Sequence, residues 1–121
     1  MSKIYSNEVE TMKVAIIGSR SRHIANLEDY LPQGITEIVT GGAKGIDSDA
    51  MEYAKKYNIP LTVFLPQFER YGRGAPIVRN REMMAYADRV IALWDGVSKG
   101  TASGIQEVER LGKAVEIVYI T

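Results

Sequence analysis

The chain has 121 residues, a length that suits one domain with a single sizeable core. Fifteen basic residues balance fifteen acidic ones, and a net charge of zero gives no reason to expect strong non-specific binding to nucleic acid or to a membrane surface. The absence of cysteine and the presence of one histidine, His23, exclude disulfides, thiol nucleophiles and metal centres rich in Cys or His. We therefore expect no metal and no cofactor.

The N-terminal stretch "MSKIYSNEVETM" is polar and lacks the apolar core of a signal peptide. No apolar run approaches the roughly 18 residues that a membrane span needs. These features predict a cytoplasmic protein without membrane contact. We expect residues 1–12 to form a polar tail or an oligomer arm, and residues 13–121 to form the domain.

Five apolar runs recur along the chain and predict five strands. The first four are nearly continuous in branched aliphatic and aromatic residues, which is typical of strands covered on both faces. The fifth alternates and carries Glu116, which favours a sheet edge. The runs are "KVAIIG" at 13–18, "TEIVTG" at 36–41, "LTVFL" at 61–65, "RVIALW" at 89–94 and "AVEIVYI" at 114–120.

Segments with helical spacing lie between the strands. The first segment is marked by Ile24, Leu27 and Leu31, and the second by Ile46, Ala50, Ala54 and Tyr57. The third covers residues 77–87, and the fourth covers residues 101–111 and is ended by Gly112. Alternating strands and helices predict an α/β fold, a three-layer α/β/α sandwich around a five-stranded parallel sheet. In such sheets ligands bind beyond the carboxyl ends of the strands, so the residues that follow each strand are the candidate site.

The first strand is followed by "GSRSRH" at 18–23. The segment lacks the second and third glycines of a dinucleotide-binding turn and the acidic residues of a phosphoacceptor site. It offers Gly18, the hydroxyl of Ser19 and the guanidinium of Arg20, which can make a two-pronged contact with phosphate or carboxylate. The alternative is that Arg20 is an ordinary surface residue.

The second strand is followed by "VTGGAKGIDSDA" at 39–50, which is too short between its glycines to be a P-loop. Gly41 and Gly42 allow the backbone to approach a ligand, and Gly45 permits a positive φ. The N–H groups that begin the next helix would face the same point and favour an anion or a ribose, with Asp47 nearby. A plain tight turn with Asp47 or Ser48 as helix cap is the alternative. We interpret Lys44 as solvated.

The third strand leads into "PQFERYGRGAPIVRNRE" at 66–82, where positive charge is concentrated. The segment holds Arg70, Arg73, Arg79 and Arg81. Phe68 and Tyr71 offer faces on which a base can stack. The length of the segment favours a lid or a binding loop, although a surface loop with internal ion pairs is the alternative.

The fourth strand is followed by "WDGVSKGTASGIQEV" at 94–108. Gly100, Thr101 and Ser103 lie where the last helix is expected to begin, and they offer backbone N–H groups and hydroxyls to an anion. Trp94 could provide a stacking face. Helix capping would account for a hydroxyl here but not for the glycines.

With these segments in hand, the chain resembles the SLOG superfamily, Rossmann-like proteins that include the DNA-processing protein A group and the Lonely-guy phosphoribohydrolases. The resemblance rests on "IIGSR" at 16–20, "TGGAKGID" at 40–47, "YGRGAPIVRNREMM" at 71–84 and "ALWDGVSKGT" at 92–101. It implies a Rossmann-like fold and a homodimer or larger homo-oligomer. Arg79, Asn80 and Met83 match an Arg-Lys-x-x-Met segment of the phosphoribohydrolases, with Asn in place of Lys. Gly100 and Thr101 match their Gly-Thr-x-x-Glu segment.

The glutamate of that last segment is missing. Gly104 stands in its place, and the next carboxylate, Glu107, is displaced by about 4.5 Å along a helix. This shift argues against hydrolysis by the phosphoribohydrolase mechanism. We expect Glu107 to lie on the helix surface or to pair with Arg110.

Three functions are consistent with the sequence. The first is binding or sensing of a nucleotide or a nucleotide-derived small molecule, with phosphate on the N–H groups at 42–45 and 100–103. Arg20 and Arg79 would neutralise the phosphate, and Asn80 would bind sugar or base. The second is cleavage or transfer of an N-glycosidic bond, with Asp47, Glu82, Asp95 or Glu107 as the acid. The third is binding of single-stranded DNA, which the resemblance suggests and the zero net charge makes unlikely.

Overall fold

The structure is a computed structural model, and it describes residues 10–121. Its strands are β1 (Lys13–Gly18), β2 (Glu37–Thr40), β3 (Leu61–Val63), β4 (Arg89–Trp94) and β5 (Ala114–Tyr119). Its α-helices are α1 (Ile46–Lys56), α2 (Phe68–Tyr71), α3 (Ala75–Tyr86) and α4 (Lys99–Arg110). Short 3₁₀ turns occupy Leu27–Tyr30 and Gly72–Gly74.

The five strands form one parallel sheet in the order β3-β2-β1-β4-β5. The predicted α/β class with a five-stranded parallel sheet is confirmed, as is the edge position of the fifth strand. The expectation that the third strand is covered on both faces is wrong. β3 is the opposite edge, it ends at Val63 rather than at residue 65, and its side chains are half-buried or exposed.

Alternate residues of the central strands supply two separate cores, because successive side chains of a strand point to opposite faces. Val14 and Ile16 of β1 pack on the face that α1 covers, together with Ile46. Ala15 and Ile17 pack on the face that α3 and α4 cover. Helices therefore lie on both faces of the sheet, and the three-layer arrangement positions α1 and α4 on opposite sides of β1.

The predicted first helix does not form. Between β1 and β2 the chain makes only the 3₁₀ turn Leu27–Tyr30, although Leu27 is buried in the core as its spacing suggested. Asp49 Oδ2 of α1 accepts the Ile24 N–H at 2.7 Å, which fixes the start of this segment against α1. Pro32 disfavours helical geometry at Leu31. These two constraints leave about one turn.

Most of the predicted N-terminal tail, residues 1–9, lies outside the described residues. Met12, the last residue assigned to the tail, belongs to the domain, because its N–H donates to Thr36 Oγ1 at 2.8 Å and its carbonyl accepts from Thr36 N–H at 3.0 Å. Within residues 10–121, none of the helices has the length and apolar character to cross a membrane.

Candidate functional site

A cavity of about 440 Å³ lies at the carboxyl end of the sheet. It is centred on the end of β1, between β2 and β4, where the strand order reverses direction. Open α/β sheets bind ligands at this position, and the volume lies within the range of small-molecule sites. The lining residues come from all the segments around that point: Ile17, Gly18, Arg20, Ser21, Gly41, Ala43, Asp47, Arg79, Asn80, Met83, Ser98, Lys99, Gly100, Thr101 and Gly104.

One wall of the cavity is the first turn of α4. The N–H groups of Lys99, Gly100 and Thr101 precede the first intrahelical bond, which runs from Ala102 N–H to Ser98 O, and they have no acceptor within residues 10–121. The three residues line the cavity, where the partial positive charge of the helix end favours an anion. Lys99 adds a full charge beside them.

A carboxylate fixes the loop that leads into α4. Asp95 accepts hydrogen bonds from the N–H groups of Val97 and Ser98 and from the Ser98 hydroxyl, at 2.8 to 2.9 Å. These bonds hold the pKa of Asp95 at about 2. Ser19 Oγ accepts the Asp95 N–H at 3.0 Å and ties the loop to the end of β1. The first turn of α4 is thus held in place before any ligand arrives.

The opposite wall carries a buried carboxylate. Asp47 lies in the first turn of α1, and only 6% of its surface is exposed. Its Oδ2 accepts the Ala43 N–H at 3.1 Å. Burial raises the pKa of Asp47, and the Ala43 hydrogen bond and the charge of Arg79 oppose the rise. The wall of the cavity beside α1 therefore carries an acid at the place where the sequence suggested a phosphate site. The Ile46 N–H, at the start of α1, donates to Ser19 O at 3.4 Å.

Arg79 joins three parts of the cavity floor. Its Nη1 donates to the carbonyls of Gly41, at 2.7 Å, and of Phe64, at 3.3 Å, and its Nε donates to Asn80 Oδ1 at 2.9 Å. Burial lowers the pKa of Arg79, and the charge of Asp47 opposes this. The guanidinium lines the cavity but is already engaged with the protein, so its role is at least partly structural.

Eight of the fourteen predicted ligand-binding residues line the cavity, and six do not. Among the six, Ser19 is buried and holds the Asp95 loop. Gly42 and Gly45 both have φ near 74°, as the prediction for Gly45 requires. A side chain at 45 would collide with the backbone carbonyls of Ser19 and Arg20, and one at 42 with Leu65. These glycines allow close packing of the turn and do not contact the cavity.

The two proposed stacking faces and Ser103 also lie outside the cavity. Trp94 donates its indole N–H to Ser98 O at 3.0 Å and packs against Tyr119, with ring centroids 5.8 Å apart. Tyr71 ends the short helix α2, away from the cavity. Ser103 does not line the cavity; because α4 begins at Lys99, two residues earlier than expected, Ser103 lies beyond the first turn.

Seven lining residues were not predicted to bind a ligand: Ile17, Ser21, Ala43, Met83, Ser98, Lys99 and Gly104. Lys99 was within reach of the sequence, because Ser98 is a common helix N-cap type and would have placed Lys99 in the first turn. The others follow from how the elements pack and leave no local signal.

Of the four candidate acids, only Asp47 lines the cavity. Asp95 remains ionised because its pKa is about 2. Glu107 is bound by Arg110 at 3.0 Å, as expected, and this hydrogen bond lowers the pKa of Glu107. Glu82 is exposed and lies in a separate groove beside β3.

Gly104, at the position where the sequence resemblance implied a glutamate, is closely packed. A Cβ there would lie 2.9 Å from Ile17 Cδ1 and 3.3 Å from Met84 Cε. Contacts this close force neighbouring atoms to shift. Helix α4 thus approaches the sheet too closely for a glutamate to fit without rearrangement.

Comparison with known proteins supports the fold. No protein-family model matches the chain, and no curated protein matches its sequence. Among solved structures, DNA processing protein A from Streptococcus pneumoniae superposes with a TM-score of 0.71 at 19% sequence identity. The match covers 92% of this chain but 51% of that protein. The chain therefore shares a Rossmann-like fold with about half of a DNA-processing protein, and the fold implied by the sequence resemblance is confirmed.

Proposed function

We propose that the protein binds a nucleotide or a nucleotide-derived small molecule in the cavity at the carboxyl end of the sheet. The single observation that carries the proposal is the first turn of α4, whose three unpaired N–H groups line the cavity together with Lys99. Arg20 and Arg79 also line it, so three cationic side chains face one carboxylate in a protein of zero net charge. Such a site attracts an anion.

A phosphate fits this wall better than a carboxylate does. It has three terminal oxygens, enough to accept several of the α4 N–H groups and the Lys99 ammonium at once. On the facing side, Asn80 is buried and its Oδ1 is taken by Arg79, which leaves its amide N–H groups for a sugar or a base. The volume of about 440 Å³ suits a mononucleotide.

The proposal is tested by calorimetric titration and thermal unfolding with AMP, GMP, CMP and UMP. At least one of them should bind and raise the melting temperature, since a ligand at 100 times its Kd stabilises the folded state by about 2.7 kcal/mol. Replacement of Lys99 with Ala should weaken binding about 5-fold, the scale of one charge at a helix end. Lys44→Ala is the matched control, because Lys44 is exposed and outside the cavity. No binding by any nucleotide, or equal losses in both variants, would contradict the proposal.

Cleavage of an N-glycosidic bond is the second candidate, and the position of Asp47 favours it. Asp47 is the candidate acid that faces the cavity, and its raised pKa increases the fraction able to donate a proton. Chromatography of each nucleotide after long incubation with the protein distinguishes cleavage from binding. If free base is released by the wild-type protein and not by Asp47→Asn, the protein is an enzyme. If the nucleotide stays intact, binding is the remaining function.

Nucleic-acid binding is a third candidate, because a solved structure that shares the fold is a DNA-processing protein. Arg70, Arg73 and Arg81 are exposed and outside the cavity, where they could contact a backbone. Fluorescence anisotropy with a labelled single-stranded oligonucleotide tests this. Affinity that falls steeply with salt and drops in the Arg70→Ala variant would support it.

A further inference from the structure

Asp47, the acid of the cavity, can accept more hydrogen bonds than the protein gives it. Its side chain is buried, its Oδ2 receives the Ala43 N–H at 3.1 Å, and the Gly41 N–H and the Thr40 hydroxyl also lie close enough to lower the pKa of Asp47. A carboxylate can accept about four hydrogen bonds. The neighbouring guanidinium does not supply them, because Arg79 donates to the carbonyls of Gly41 and Phe64 and to Asn80. A buried carboxylate that lines a cavity and has an acceptor position left can take a donor from the ligand.

The position of Asp47 also determines how a ligand is oriented in the cavity. Asp47 follows β2, the first turn of α4 follows β4, and β1 lies between these strands. Two strand spacings separate them, about 10 Å. One small molecule can therefore reach both walls. Its anionic group is excluded from the Asp47 wall by charge and is attracted to the α4 wall.

The donor that Asp47 receives should be neutral. Arg79 already places a positive charge close to Asp47, because a Cβ on Gly41 would lie 2.7 Å from Arg79 Nη1 and 3.1 Å from Asp47 Oδ2. A cationic ligand group would meet that charge and gain little. A pair of hydroxyl groups has two donors in the geometry of a carboxylate and adds no charge.

We propose that Asp47 binds the ribose hydroxyls of the ligand, so that the cavity selects ribonucleotides over deoxyribonucleotides. This inference rests on the proposed nucleotide-binding function and adds the sugar specificity and the orientation of the ligand. Phosphate lies on the first turn of α4, and the sugar edge lies against α1. The same feature opposes DNA as the occupant of this cavity.

Calorimetric titration of the wild-type protein with AMP, 2′-deoxy-AMP and 2′,3′-dideoxy-AMP tests the proposal, and the guanosine series is run in parallel. We expect affinity to fall on the order of 10- to 100-fold from the ribonucleotide to the dideoxynucleotide, the scale of hydrogen bonds to a charged group. In Asp47→Asn the ribonucleotide should lose most of this advantage, while the dideoxynucleotide should bind about as well as it binds the wild-type protein. The comparison within the wild-type protein needs no variant, so a folding defect in Asp47→Asn does not obscure it.

Two outcomes would overturn the proposal. Equal affinities for the ribo- and dideoxynucleotides would remove the sugar contact and leave nucleotide binding intact. Discrimination that persists unchanged in Asp47→Asn would assign the hydroxyls to another residue. Absence of binding by every nucleotide would instead overturn the proposed function and this inference together.

Discussion

Arg79 offers the sharpest separation between a residue that binds ligand and one that supports the fold. The change is Arg79→Met, which keeps the length of the side chain and removes its charge and its donors. The variant loses the hydrogen bonds to Gly41 O, Phe64 O and Asn80 Oδ1, which join the ends of β2 and β3 to α3. It also leaves the buried Asp47 without its neighbouring positive charge.

The size of the effect follows from these contacts. Hydrogen bonds to a charged group are worth about 1.5–3 kcal/mol each, and three on one half-buried side chain are not additive. We expect a loss of about 2–4 kcal/mol in the free energy of unfolding of the ligand-free protein. For a domain of this length that corresponds to a fall in melting temperature of roughly 8–16 °C. Urea denaturation and calorimetry measure both quantities.

A double-mutant cycle with Asp47→Asn isolates the charge contribution. Once Asp47 is neutral, the removal of the guanidinium no longer leaves a buried carboxylate uncompensated. The cost of Arg79→Met should therefore fall by about 1 kcal/mol in the Asp47→Asn background. If Arg79→Met changes the unfolding free energy by less than about 0.5 kcal/mol, the size of an ordinary surface substitution, Arg79 is free for the ligand and the structural reasoning is refuted.

Further predictions concern the supports of the cavity walls. The pKa of Asp95 is about 2 in the folded protein and 3.8 ordinarily, so its contribution to stability is present above pH 4 and is lost as the pH falls through about 2. Asp95→Asn should therefore unfold at a lower urea concentration than the wild type at pH 7. A stability difference between the two proteins that does not narrow below pH 4 would contradict this. Gly104→Ala should change the free energy of unfolding by less than about 1 kcal/mol, because the new methyl group meets only the flexible ends of Ile17 and Met84 and alanine is favoured over glycine in a helix by about 0.5–1 kcal/mol. A loss above about 2 kcal/mol in urea denaturation would mean that these side chains cannot move aside. Lys113 Nζ donates to the carbonyls of Met84, Ala85 and Ala87 at 2.7 to 2.8 Å and so caps the end of α3. Lys113→Met should lower the free energy of unfolding by about 1–2 kcal/mol and speed hydrogen exchange of the amides in the last turn of α3. Lys99→Met, which changes an exposed lysine, should have neither effect.

The fold was predictable because its signal is local and repeated. Residues 13–18 and 89–94 read as buried strands from composition alone, and both strands have these bounds in the structure. The first crossover was not predictable from spacing. Ile24 and Leu27 have the right separation for a helix, but the Ile24 N–H is bound to Asp49, which lies 25 residues away. A contact of that range leaves no trace in a local pattern.

Eight of the fourteen residues predicted to bind a ligand line the cavity, and two of the six that do not are glycines. Glycine signals either a close approach to a ligand or a close approach to the protein's own backbone, and the sequence does not distinguish them. Gly41 lines the cavity, whereas Gly45 packs against Ser19 and Arg20. Asp47 was predicted to bind a ligand, with a helix cap as the alternative, and it lines the cavity, although its burial is provided only by the packed structure.

The central claim is that one cavity holds a nucleotide between the first turn of α4 and Asp47. Amide chemical-shift mapping by ¹⁵N NMR on titration with AMP and GMP tests it most directly. The largest shifts should fall on the N–H groups of Lys99, Gly100 and Thr101, with a second set at Ala43 and Asp47. Shifts confined to the groove beside β3, around Leu65 and Tyr86, or the absence of any shift with either nucleotide, would contradict the account.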